Sequence, residues 1–135
     1  MNTPIVKFCS SCGSVVRLEI PAGDNRERHV CTQCETIHYH NPRIITGCIP
    51  VFADQVLLCK RAIEPRLGFW TLPAGFLELG ESVAEGAARE TEEEAGAQVQ
   101  MGELFCMFNL PHIGQVYMMY LAELSEPAFA AHTEE

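Results

Sequence analysis

Basic side chains are scarce in this 135-residue chain: nine Lys and Arg stand against eighteen Asp and Glu, a formal net charge of −9. Non-specific nucleic-acid binding needs clustered cations to neutralise phosphates, so no nucleic-acid partner is expected. An anionic ligand would need metal ions to reverse the local field. Long apolar runs are also lacking; none approaches the ~20 residues of a membrane span, and no membrane partner is expected. The N-terminal segment, Met1 to Phe8, has no apolar stretch of the kind that marks a signal peptide. A disulfide framework is missing too. The seven cysteines are an odd number, and Cys48, Cys59 and Cys106 sit singly in apolar segments, as free thiols do. That usage fits a reducing cytoplasm.

What is present divides the chain in two. The first forty residues hold four cysteines in two pairs, with Val15 to Ile20, a Pro21-Ala22-Gly23-Asp24-Asn25 turn and a return through His29-Val30 between them. This reads as a hairpin. Asn41-Pro42 marks a boundary, so a small module over residues 1–40 and a larger domain over 41–135 are expected. In the larger domain a nearly continuous apolar run, Ile44 to Phe52, is followed by Val56-Leu57-Leu58-Cys59, which reads as a buried hairpin. Phe69 to Leu72 predicts a short strand and residues 75–80 a loop. Residues 82–95 predict a helix, with Ser82 as N-cap, Glu85 completing a capping box and Gly96 at the stop. Residues 98–110 and 116–124 read as strands joined at Pro111-His112-Ile113-Gly114. Strands on both sides of one capped helix predict an α/β or α+β domain with a mixed sheet.

Cys9-x2-Cys12, eighteen residues, then Cys31-x2-Cys34 has the spacing of a four-cysteine zinc ribbon. Four thiolates complete a tetrahedron around Zn²⁺ and leave no open position, so a structural role is expected. Two disulfides are the alternative. His29, His38 and His40 lie nearby, but four cysteines already saturate the ion. The module carries Arg17, Arg26 and Arg28 against Glu19, Asp24, Glu27 and Glu35, with no basic stripe. A folding and dimer-contact role is expected of it.

The predicted helix concentrates carboxylates. At about 100° per residue, Glu90, Glu93 and Glu94 fall within about 100° of one another. Ala84, Ala88, Thr91 and Ala95 form a small-residue stripe to one side, suited to packing on a sheet. Like charges three and four residues apart repel, and Arg89 alone does not neutralise three Glu. A divalent cation with oxygen ligands, Mg²⁺ or Mn²⁺, is the natural complement. The alternative is a solvated acidic face.

The stretch Gly75-x5-Glu81-x7-Arg89-Glu90-Thr91-x-Glu93-Glu94-x-Gly96-Ala97 resembles the Nudix box, Gly-x5-Glu-x7-Arg-Glu-U-x-Glu-Glu-x-Gly-U with U a bulky aliphatic. Every charged and glycine position matches; Thr91 and Ala97 depart at the two U positions, which are packing positions. The resemblance implies a Nudix α/β/α sandwich behind the zinc ribbon. It also implies metal-assisted hydrolysis of the diphosphate bond of a nucleotide derivative. Glu90 and Glu94 would be the principal Mg²⁺ ligands, with Glu93 a further ligand or the group orienting the attacking water. The Gly75 carbonyl would add a ligand, and Arg89 and Glu81 would hold loop and helix in place. Homodimers are common among such proteins. They also continue with a further strand and a second long helix, so the C-terminal part of the domain is expected to be missing. A late catalytic Glu in some of them makes Glu134 or Glu135 a candidate.

Two zinc-ribbon Nudix groups set the substrate expectation. NADH pyrophosphatases carry Ser-Gln-Pro-Trp-Pro-Phe-Pro after the box, and residues 101–110 have no such run. The segments Asn41-Pro42-Arg43, Val56 to Arg61, Gly68 to Gly75 and Leu110 to Tyr117 resemble enzymes acting on FAD and ADP-ribose. The favoured expectation is therefore ADP-ribose or FAD hydrolysis releasing AMP. NADH or NAD hydrolysis and a non-catalytic nucleotide-sensing domain are the alternatives. Arg61, Phe69 and Trp70 are candidates for phosphate contact or adenine stacking, a core aromatic or strand-end Arg being the plainer reading of each. His112 reads as a loop residue.

Overall fold

The computed structural model describes residues 6–127 and 129–130, so the Glu134 and Glu135 candidates lie outside the described residues. The chain forms two compact units, Met1–Asn41 and Pro42–Glu135.

In the first unit, β1 (Val16–Glu19) and β2 (Arg28–Cys31) pair antiparallel, as the hairpin pattern predicts, and β3 (Ile37–His38) adds to the other edge of β2. Asp24 organises the turn between β1 and β2. Its Oδ1 accepts from the Asn25 and Arg26 amides at 2.7 and 3.3 Å, and its Oδ2 accepts from Arg28 Nε at 2.9 Å. This side-chain closure of an Asx-type turn sets the register that aligns Val16 with Cys31.

In the second unit, β4 (Arg43–Phe52) is the strand to which most others attach. A tight turn leads to β5 (Gln55–Val56), which pairs with the end of β4. Next, β6 (Cys59–Lys60) and β7 (Trp70–Thr71) make a separate two-stranded ribbon. Strand β8 (Ala74–Phe76) returns antiparallel to β4, with Thr46 opposite Gly75. Helix α1 (Val83–Ala95) follows, then β9 (Val99–Leu110), a 3-10 turn at Pro111–Ile113 and β10 (Gln115–Leu124). The sheet runs β5-β4-β10-β9, with β8 sharing the β5 edge of β4. β10 is parallel to β4 and antiparallel to β9, so the sheet is mixed. Among the described residues α1 is the one α-helix against it.

Three details depart from the sequence pattern. The predicted loop at 75–80 begins as strand, because Gly75 and Phe76 use their backbones to pair with β4. The Val56 to Cys59 segment is not one buried strand: β5 is exposed and β6 belongs to the other ribbon. The buried arc of α1 is also rotated from the predicted stripe. It comprises Gly86, Ala87, Glu90, Thr91 and Ala95, while Ala84 and Ala88 are half-buried. Gly86 permits the close approach, since a Cβ there would meet Thr46 Cγ2 and Glu81 Oε1 at 2.8 Å. The packing face and the carboxylate face therefore overlap at Glu90.

Two small apolar groups hold helix to sheet. Cys48, Ala87 and Ala122 are buried together with Val99, Met101 and Tyr120 against them, and Ala95, Ala97 and Leu124 pack with Phe52, Leu57 and Cys59. Thr46, fully buried on β4, donates its hydroxyl to the Val83 carbonyl at 2.6 Å, tying the first turn of α1 to the sheet. Of the three single cysteines, Cys48 is buried and Cys59 and Cys106 are half-buried; all are free thiols. No helix among the described residues is long and apolar enough to cross a membrane.

Candidate functional sites

The start of α1 follows the predicted chemistry. The Ser82 hydroxyl accepts from the Glu85 amide at 3.2 Å, and the Glu85 carboxylate accepts from the Ser82 amide at 2.7 Å. At the other end Gly96 takes φ 58°, the left-handed conformation that a C-terminal stop uses. A helix fixed at both ends presents Arg89, Glu90, Glu93 and Glu94 in defined directions.

Arg89 is the centre of this arrangement. Its Nε and Nη2 grip Glu81 at 2.9 and 2.8 Å, a two-point fork. Its Nη1 reaches Glu90 and Glu93, both at 2.9 Å, and Nη2 also donates to the Phe76 carbonyl at 3.1 Å. One guanidinium thus links three carboxylates and the end of β8. The Arg89 fork and the Glu78 amide, 2.8 Å away, hold the Glu81 carboxyl down at about 2. Arg89 itself is raised, by Glu81 first and Glu90 next, against its own desolvation. The cation is spent on positioning; it does not neutralise the whole set.

Glu90 is 9% exposed. It lies against Gly75 so closely that a Cβ there would sit 2.3–2.4 Å from its carboxylate atoms. The absent side chain therefore leaves a cradle where the Glu90 oxygens meet the backbone of β8. Glu94, about one turn further on, accepts from the Ala74 amide at 3.1 Å. Glu93 is 53% exposed at its side chain and points outward. Carboxylate and carbonyl oxygens are the donors that hard divalent cations take. The structure thus gathers Gly75, Glu81, Arg89, Glu90, Glu93 and Glu94 around one end of β8 and one face of α1. The Ala74 and Glu78 amides and the Phe76 carbonyl are partners that side-chain patterns do not reveal. Main-chain donors leave no mark in a sequence.

Trp70 lies on β7, and Arg61 directly follows β6. Trp70 is 64% exposed, so it is not a core aromatic. Arg61 Nε donates to the Pro65 carbonyl at 2.7 Å, bracing the intervening loop. Cys59, opposite Thr71 in the register, has its thiol pushed up to about 11 by burial and then by the charge of Glu94.

In the first unit the ligand atoms of Cys9, Cys12, Cys31 and Cys34 all lie within 4.8 Å of one another. The Sγ atoms of Cys9 and Cys34 are 3.6 Å apart and those of Cys12 and Cys31 3.4 Å. A disulfide would need about 2.05 Å, whereas four sulfurs around a tetrahedral zinc lie about 3.8 Å apart. The cluster fits a metal. Burial pushes the Cys9 thiol up, yet the Cys12 and Ser11 backbone and the neighbouring His38 and Cys34 bring it down to about 5. The Cys34 and Gln33 amides draw the Cys31 thiol down, but burial and the neighbouring Cys12 and Cys34 side chains together raise it.

Residues 7–40 match the zinc-ribbon Nudix N-terminal family and residues 41–134 the NUDIX domain family. The chain belongs to the Nudix hydrolase family. It is 35% identical over 119 residues to a protein of Photobacterium profundum named NAD-capped RNA hydrolase NudC, covering 86% of this chain and 42% of that one. The chain thus spans less than half the length of this curated relative. Among solved structures, a NUDIX hydrolase from Nitrosomonas europaea has a TM-score of 0.91 and 54% identity, covering 96% of this chain and 74% of that one. A MutT/nudix family protein from Enterococcus faecalis has a TM-score of 0.66 and 27% identity, covering 76% and 44%.

Proposed function

We propose that the chain hydrolyses the diphosphate bond of an adenine dinucleotide of the NAD class, using Mg²⁺ or Mn²⁺ at the α1 carboxylates and Zn²⁺ as a structural ion at the four cysteines. The observation that carries the chemistry is the Arg89-centred cluster, in which Glu81, Glu90 and Glu93 are held by one guanidinium beside the Gly75 cradle. The substrate class follows the relative named NAD-capped RNA hydrolase. This moves the reading away from the FAD or ADP-ribose substrate that the sequence favours and toward its NAD alternative. ADP-ribose remains the second reading, because residues 101–110 lack the Ser-Gln-Pro-Trp-Pro-Phe-Pro run of NADH pyrophosphatases.

Divalent ions, when bound, polarise the diphosphate and lower the pKa of a bound water. In this reading Glu90, Glu94 and the Gly75 carbonyl hold those ions. Glu93, exposed and steered by Arg89, serves as a further ligand or orients the water. Glu81 and Arg89 keep β8 and α1 in register, and Arg61 and Trp70 meet the nucleotide. A capped RNA end, which the relatives' name includes, suits this chain less well because of its net charge of −9. A homodimer and a cytoplasmic location complete the proposal.

An assay of NADH, NAD, ADP-ribose, FAD and an NAD-capped RNA, with and without Mg²⁺, tests it. Turnover of NADH or NAD only with the ion supports the reading. ADP-ribose turnover alone transfers it to the second substrate, and nucleotide binding without turnover overturns the enzymatic reading. Loss of turnover in Glu94→Gln with an unchanged fold places the ions at the helix.

A further inference from the structure

The last turn of α1 is electrostatically ill placed. It carries Glu92, Glu93 and Glu94 and no basic side chain, so three carboxylates crowd the negative end of the helix dipole. Arg89 reaches Glu93, but from a turn earlier. The last carbonyls of a helix also need donors from beyond its end. Gly96 serves one of them, its amide donating to the Glu92 carbonyl at 2.9 Å. A helix end loaded in this way frays unless something outside it holds it.

The chain beyond β10 provides that hold. The Ala130 amide donates to the Ala95 carbonyl at 2.7 Å, joining the chain after the last strand to the last residue of α1. Beside it, Phe129 lines an open apolar groove of about 620 Å³ together with Phe52, Leu57, Trp70, Leu124 and Pro127. Phe52, Leu57 and Leu124 belong to the apolar group that packs with Ala95 and Ala97. Two neighbouring residues thus fix the same helix end, one by a main-chain bond and one by an aromatic ring against the surrounding apolar side chains. Glu94 directly precedes Ala95, and its carboxylate accepts from the Ala74 amide of β8 at 3.1 Å. Unwinding at Ala95 would therefore shift Glu94 relative to β8. We infer that Phe129 and Ala130 are positioning residues, a clasp that keeps the last turn of α1 helical and sets Glu94 against β8 before a cation binds. The consequence for the cation rests on the reading of Glu94 as a metal ligand; the clasp itself does not.

The full chain, zinc-loaded and free of Mg²⁺ and Mn²⁺, is compared with Ala130→Pro, which removes the donor N–H, and with Ala130→Gly, which keeps it. Amide exchange is read by NMR, and Mn²⁺ affinity by electron paramagnetic resonance of the free ion. In Ala130→Pro the amides of Glu93 to Gly96 should exchange about tenfold faster, with those of residues 86–90 unchanged, and Mn²⁺ should bind about fivefold more weakly. Phe129→Ala should move both readings in the same direction, and Ala130→Gly should match wild type. Adding Glu92→Gln to Ala130→Pro takes an anion off the negative end of the dipole and should recover about threefold of the lost protection. A general loosening of the domain would not be rescued in this way. Exchange at 93–96 unaltered in Ala130→Pro, or faster throughout the domain, overturns the clasp. Faster local exchange with unaltered Mn²⁺ affinity overturns its positioning of Glu94. A wild-type chain that binds no Mn²⁺ removes the metal reading of α1, and the exchange readings then decide the clasp alone.

Discussion

Gly75 and Arg89 show how single residues set the geometry of this site. At Gly75 a methyl group would enter the space of the Glu90 carboxylate. Gly75→Ala must displace the Glu90 carboxylate from the place it takes against β8. Metal-dependent turnover should fall at least tenfold, with a higher Mg²⁺ requirement, read from activity against Mg²⁺ concentration. Arg89 offers a planar fork that a lysine ammonium cannot copy. Arg89→Lys should therefore keep its charge but release Glu81, lowering kcat by one to two orders of magnitude with the fold intact by circular dichroism. The same fork has a pH signature. Glu81 is ordinarily near 4.5 and is held at about 2 in the folded chain, mainly by Arg89. Its contribution to stability is full above the unfolded value and is lost as pH falls toward 2. Urea unfolding of wild type and Glu81→Gln from pH 6 to 2 should thus show two stabilities that differ at pH 6 and converge at the acid end. A constant gap would mean that Arg89 does not hold the carboxylate as described.

At the level of elements, α1 was the most legible part of the chain and the strands around it the least. The capping box at Ser82 and Glu85 and the stop at Gly96 are local chemistry, and each formed where the residues place it. Ser82→Ala should cost about 1 kcal/mol, by removing one side-chain cap from an otherwise unsatisfied helix end. Chemical denaturation measures this, and the Mg²⁺ requirement should change little, since Glu90 and Glu94 lie two or more turns away. Strand order was not readable in this way. The parallel pairing of β4 with β10 joins residues about seventy apart, and nothing local in either segment specifies it. The rotated buried arc has the same origin. Periodicity separates apolar from charged positions, but Glu90 is buried because β8 crosses the helix at Gly75, a tertiary event. The carboxylate set was legible as a spacing. Its wiring through the Ala74 and Glu78 amides was not.

For the molecule as a whole, donor chemistry divides along the same line as the fold. Four thiols that could hold a metal ion lie together in the first unit, between Cys9 and Cys34, and the oxygen ligands proposed above lie in the second, between Gly75 and Glu94. Soft thiolates select zinc, while carboxylates and carbonyls select magnesium or manganese. Two withdrawals should then have different consequences. A nitrogen-donor chelator that takes Zn²⁺ and ignores Mg²⁺ should release zinc and remove amide-exchange protection from β1, β2 and β3, because binding energy at a four-cysteine site is folding energy. Protection of β4, β10 and α1 should persist, since their packing uses no sulfur ligand of that cluster. Omitting Mg²⁺ should do the reverse, abolishing turnover while exchange protection stays intact throughout. Exchange read by mass spectrometry, alongside a colorimetric zinc assay and NADH turnover, distinguishes these outcomes. Turnover that disappears with zinc while β4, β10 and α1 remain protected and Mg²⁺ is present would assign zinc a part in the reaction. A saturated four-cysteine site leaves no coordination position for that role.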